Sequence, residues 1–173
     1  MVANTPYFRD VEDVFDHKVS DSWGFTCAGV FNCVSNEMHD QFSFSYDKEV
    51  MGLFKSINVG CCEVLDKKVD LCKSLENRRK VSIGEWCNHL EAAEAIKEDY
   101  VYSYRAAGIH FVNDQWDKVN AEKEIRSVLE AVKAKNCSTE IVLNIGGTLG
   151  KEPHKKVIEW SAMVRRLIDE YYE

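Results

Sequence analysis

Apolar positions along this chain alternate between short continuous runs and three-and-four spacings, the signatures of strands and of one-sided helices. The run Trp23-Gly-Phe-Thr-Cys-Ala-Gly-Val-Phe31 predicts a strand. Behind it Ser35 can cap a helix and Glu37 suits its first turn. Met38, Phe42, Tyr46, Val50 and Leu53 with Phe54 then recur at helical spacing to about Lys55 and predict that helix's buried face. Ile57-Asn-Val-Gly-Cys61 predicts a second strand, followed by a short helix through Val64, Leu65, Val69, Leu71 and Cys72. Lys80-Val-Ser-Ile-Gly84 predicts a third, with a helix from Trp86 to Ile96. Asp99-Tyr-Val-Tyr-Ser-Tyr-Arg105 predicts a fourth, rich in the aromatic and β-branched residues that strands prefer. A loop from about Ala106 to Asp117 leads into a helix carrying Ile125, Val128, Leu129 and Val132. The fifth run, Glu140-Ile-Val-Leu-Asn-Ile-Gly-Gly147, is apolar on both faces, as in a parallel sheet covered by helices. The last helix has Val157, Trp160, Ser161, Val164, Leu167, Ile168 and Tyr171 along one side.

Strands alternating with helices predict an α/β fold, a parallel β/α unit of the TIM-barrel type with about five strands. In such folds ligands sit at the carboxyl ends of the strands. That places Asn144 to Thr148 at a functional end.

Length and composition narrow the picture. A chain of 173 residues, 45% apolar and 29% charged, can bury one ordinary core. We therefore expect an N-terminal extension over residues 1–19 and one β/α domain over 20–173. The net charge of -7, with Lys and Arg scattered among Asp and Glu, leaves no footprint for nucleic acid. No run approaches the length of a membrane span, and the N-terminus lacks a charged region followed by an apolar one, so a cytoplasmic location is expected. Seven cysteines without CxxC spacing read as reduced thiols rather than as a disulfide framework.

Several short motifs point further. Val142-Leu-Asn-Ile-Gly-Gly-Thr-Leu149, with a proline four residues on and a helix behind it, resembles the last barrel strand of the uroporphyrinogen decarboxylase superfamily, which includes corrinoid-dependent methyltransferases. Asp21-Ser-Trp-Gly24, Ser35-Asn-Glu-Met-His39, Gly60-Cys-Cys-Glu63 and Arg79-Lys-Val-Ser-Ile-Gly-Glu-Trp86 resemble, in the same order, the middle of methyltransferase-like members of that superfamily. The match runs from about Ser20 to the end.

The resemblance implies a β/α barrel and one-carbon chemistry, in which a methyl group moves between a small donor and a corrinoid or thiol. It also implies zinc, held in the methyltransferase branch by a His-x-Cys strand end and a further Cys. Here the His position is Gly60, Cys62 matches, and the last strand has no Cys. Cys62 and Glu63 are thus the candidates for catalysis, with Cys62 the one matching metal ligand. Cys61 and Cys62 can alternatively alternate along the strand as small apolar side chains. The candidates for substrate binding are Trp23, Trp86, Arg105, His110 and Asn144. The competing readings are a non-catalytic partner subunit or degenerate barrel fragment, and a tetrapyrrole-binding decarboxylase-like protein.

Five units cannot close a barrel, which needs eight. A second chain completing the sheet, a shortened barrel, or an open doubly wound sheet would each resolve the shortfall. The first, a partner or a second copy, is the expectation, because open strand edges carry unpaired backbone groups.

Overall fold

Each of the five apolar runs contributes a strand, and each strand is followed by a segment containing helix. The computed structural model describes residues 18–145 and 148–172. The strands are β1 (Trp23–Thr26), β2 (Ser56–Val59), β3 (Arg78–Gly84), β4 (Val101–Ala106) and β5 (Thr139–Leu143). The helices are α1 (Asn36–His39), α2 (Ser45–Met51), α3 (Val69–Cys72), α4 (His89–Ile96), α5 (Lys118–Ala134) and α6 (Pro153–Tyr172). Most of the expected N-terminal extension, residues 1–17, and the Gly146-Gly147 pair of the last-strand motif lie outside the described residues.

All strand pairs are parallel and the order is β1-β2-β3-β4-β5. A doubly wound sheet must reverse its strand order at a switch point. This one never does, which removes that alternative. Crossovers that all step the same way with the usual right hand put their connecting segments on one face of the sheet. Burial agrees: Ile57, Val59, Val81, Ile83, Tyr102, Tyr104 and Ala106 belong to the core under the helices, with Ile141 and Leu143 packed against it. The opposite face carries Trp23, Phe25, Asn58, Lys80, Ser82, Ser103, Arg105 and Glu140. The result is an α/β parallel unit with the layout of a partial barrel, one side helix-covered and the other bare among the described residues.

Local chemistry explains the helix ends. Ser35, Asn88 and Asp117 each accept a backbone N–H three residues ahead, at 3.2, 3.2 and 3.1 Å, and so satisfy donors that the first turn leaves free. Trp160, Met163, Val164 and Leu167 of α6 are buried, and α6 packs on α5.

The first helix departs from expectation. A π-helical turn, Asp40–Phe44, joins α1 to α2. Such a turn advances five residues per hydrogen bond, so the inward position passes from His39 to Phe44. His39, Phe44, Met51 and Phe54 are buried, while Met38, Phe42, Tyr46 and Leu53, expected inside, are exposed. The observed strands are also shorter than the apolar runs. β1 stops at Thr26, where a 3₁₀ turn over Gly29–Cys33 takes over. β2 stops at Val59, so Cys61 and Cys62 lie in a turn beyond it. They therefore cannot alternate along a strand, and neither is buried.

Candidate functional site

Side chains from all five strands meet on the bare face. In register, Ser82 of β3 lies beside Ser103 of β4, which lies beside Glu140 of β5. The small serine at the centre lets Lys80 reach across β4 to the Glu140 carboxylate at 2.6 Å, while the Ser103 hydroxyl donates to its other oxygen at 2.6 Å. Lys80 Nζ also stands 5.4 Å from the centre of the Trp23 ring, a cation–π distance. Burial alone would push the Glu140 carboxyl up, but the hydrogen bonds from Lys80 and Ser103 outweigh it and hold the group below its ordinary value.

A second chain of contacts runs through Ser82, which is fully buried. Arg105 Nε–H and Nη2–H both donate to Ser82 Oγ, at 3.3 and 3.2 Å. Ser82 in turn lies 3.4 Å from Asn58 Oδ1, and Asn58 Nδ2 donates to the Gly60 carbonyl at 3.4 Å. Asn58 Nδ2 also lies 3.3 Å from the same Ser82 hydroxyl, so the amide and the arginine share one anchor.

At the carboxyl rim, Glu85, Gly108, Ile109, Val112, Asn144 and Thr148 help to line an open cleft of about 210 Å³. Gly108 is required there, because a side chain would collide with the Asn144 carbonyl. Burial raises the Glu85 carboxyl, and Glu124 raises it further. Glu124, on α5, gathers three donors. They are His110 Nε2–H at 2.7 Å, the Ala107 N–H at 3.0 Å and the Tyr104 hydroxyl. A carboxylate can only accept, so the tautomer of His110 is set by this bond. His110 is therefore tied to the scaffold and is not a solvated loop side chain.

The other candidates fall at the same end without joining into one cluster. The turn holding Cys61 and Cys62 folds over β3, where a Cβ on Gly84 would meet the Cys62 carbonyl oxygen at 2.7 Å. Burial, and then its neighbour Cys62, push the Cys61 thiol up. The Glu63 carboxylate accepts from the Gly29 N–H at 3.2 Å and from the Cys61 N–H at 2.5 Å, which binds the β1 and β2 loops together. Trp86 follows β3 and is 75% exposed. Cys62 is exposed, Glu63 is committed to backbone donors, and no three His, Cys, Asp or Glu side chains among the described residues are grouped to hold a metal. These residues do not fit a zinc centre of the kind the resemblance implies.

Three charges held in these contacts or in the core escaped the sequence pattern, and each left a trace in it. Glu140 opens an apolar strand. Glu124 lies three residues after buried Ala121 and four before buried Val128, on the inner stripe of α5. Lys156 lies four before buried Trp160. A charge on an apolar stripe is the signal, since an unpaired one would be expensive there.

No family model, curated protein or solved structure matches the chain. No helix among the described residues is long and apolar enough to cross a membrane.

Proposed function

We propose that this chain is one part of a uroporphyrinogen decarboxylase-like and methyltransferase-like barrel. It binds the small substrate of a methyl transfer on the bare face of its sheet, and a second chain completes the site. The observation that carries this reading is the pair of polar clusters on that face, Trp23, Lys80, Glu140 and Ser103 beside Asn58, Ser82 and Arg105, to which every strand contributes. A sheet face meant only for structural packing would be apolar, as the helix-covered one is.

Two features support the second chain. Among the described residues β1 and β5 each pair on one side only, and such edges invite further strands. Phe42 of the π turn, Tyr46 of α2 and Leu53 just beyond α2 are 56%, 66% and 61% exposed, large apolar groups facing outward. The engagement of Glu63 with backbone donors favours a second reading, a non-catalytic partner subunit in which the chemistry resides on the other chain.

Ligand-observed NMR tests the binding role, using the full chain and a panel of small N-, O- and S-methylated compounds. The expected result is binding by at least one of them, weakened severalfold by Asn58→Leu in a folded variant. Failure of every compound at millimolar concentration, or binding indifferent to Asn58→Leu, contradicts the reading.

A further inference from the structure

The bare face holds two cations and one anion among its strand side chains. Lys80 is neutralised by Glu140 at 2.6 Å. Arg105 has no carboxylate within ion-pair distance among the described residues, and its only recorded partner is the Ser82 hydroxyl. A guanidinium carries five N–H donors in a planar fork. Two are spent on Ser82, which leaves three with no acceptor among the described residues. The side chain is half-buried rather than extended into solvent, and its anchor is fixed from below by Asn58. Gly84 is Arg105's neighbour in register, and the backbone of Cys62 lies over it, so the fork is bordered there by the turn after β2. In a chain of net charge -7 this is a localised, oriented surplus of one positive charge.

We propose that Arg105 anchors a carboxylate-binding subsite, and that the ligand of the bare face is a small molecule bearing a single carboxylate. The remaining donors of the fork match the two oxygens of a carboxylate in bidentate geometry. Charge decides between oxyanions. One uncompensated cation balances a monoanion, whereas a phosphate dianion or a tetrapyrrole polycarboxylate would leave negative charge facing Glu140, which Arg105 already influences. Ser82 is a positioning residue, since it holds the fork with its open edge free. The Lys80 and Glu140 pair adds no net charge and offers polar groups to the rest of the ligand. This assignment deepens the ligand-binding reading above and rests on it only in taking the bare face as a binding surface.

The test is a titration of the ¹⁵N-labelled full chain at constant ionic strength, with acetate in one arm and inorganic phosphate in the other, followed through backbone amide shifts. Acetate is expected to move the amides of Ser82, Gly84 and Arg105 saturably, with a dissociation constant on the order of 10 mM for so small a ligand. Arg105→Met should weaken that binding at least tenfold, and Ser82→Ala should weaken it severalfold while the spectrum stays that of a folded protein. Arg105→Lys, which keeps the charge and loses the fork, should fall between wild type and Arg105→Met. Linear shifts without saturation, acetate affinity unchanged in both Arg105→Met and Ser82→Ala, or phosphate binding tighter than acetate would each overturn the assignment. Acetate binding here together with no methylated ligand in the panel would separate the subsite from the methyl-transfer reading.

Discussion

Replacing Lys156 by methionine should unfasten the carboxyl-end loops from the last helix. Lys156 is 3% exposed, and its ammonium donates to the Phe111 carbonyl at 3.0 Å and to the carbonyls of Asn113 and Leu149. Three acceptors from two loops thus converge on one side chain of α6. Hydrogen bonds to a charged group are worth about 1.5–3 kcal/mol each, so the three give roughly 4.5–9 kcal/mol before costs. Dehydrating an ammonium takes back several kcal/mol. Methionine retains the aliphatic stem but leaves three carbonyls without their donor, for a net loss of about 2–4 kcal/mol. At about 2–4 °C per kcal/mol for a chain of 173 residues, Tm should fall by roughly 5–15 °C. Urea denaturation followed by circular dichroism measures this, with an unchanged m-value confirming that the transition remains comparable. A variant within about 0.5 kcal/mol of wild type, the scatter of neutral surface changes, would refute the reasoning and show that water replaces the ammonium without cost.

Two further outcomes are expected. His39 lies between Phe31 and Phe44, with ring centroids 5.6 Å away on each side, and burial, followed by Lys68, holds its pKa below the ordinary value; burial lowers His89 as well. The unfolded chain then binds protons that the folded one refuses. Stability should be full above about pH 6.5, the ordinary histidine value, and fall as pH drops below it. His39→Phe should flatten that acid-side loss, and an equal loss in the variant would show that His39 does not contribute. Gly84→Ala should drive the Cys61 to Glu63 turn off β3, because the new methyl meets the Cys62 carbonyl oxygen at 2.7 Å. The expected cost is about 1–3 kcal/mol, read by denaturation, and a neutral effect would show that the turn yields freely.

How much of this was legible in the sequence follows from how local each determinant is. Strands β3 and β4 could be read because Val81, Ile83, Tyr102 and Tyr104 alternate with Ser82 and Ser103 at period two, and parallel pairing follows from the helices between them. The α1 to α2 face was misread because the π turn is invisible to a constant spacing. Met38, Phe42 and Tyr46 are four apart and satisfy an α-helix perfectly well, yet the helix that forms turns them outward. Cys61 and Cys62 looked like strand residues because Ile57, Val59 and Cys61 recur at period two, while Gly60, at φ +84°, ends the strand. The rim candidates Arg105 and Asn144 followed from the rule that strand ends hold ligands, but their partners did not. The pairing of Arg105 with Ser82, 23 residues away, and of Lys80 with Glu140, 60 away, depends on strand order. Until that order is known, Glu140 is only a polar residue at the start of an apolar run.

The measurement closest to the central claim is sedimentation velocity of the full chain from low to high micromolar concentration, with and without Phe42→Glu and Tyr46→Glu. The bare polar face, the open edges of β1 and β5 and the outward apolar row should drive association, so the expected result is a concentration-dependent shift from monomer to a defined assembly, reduced by the two substitutions. A stable, monodisperse monomer across the range, with both variants indistinguishable from wild type, would contradict the claim that these edges and the apolar row require a second chain to cover them.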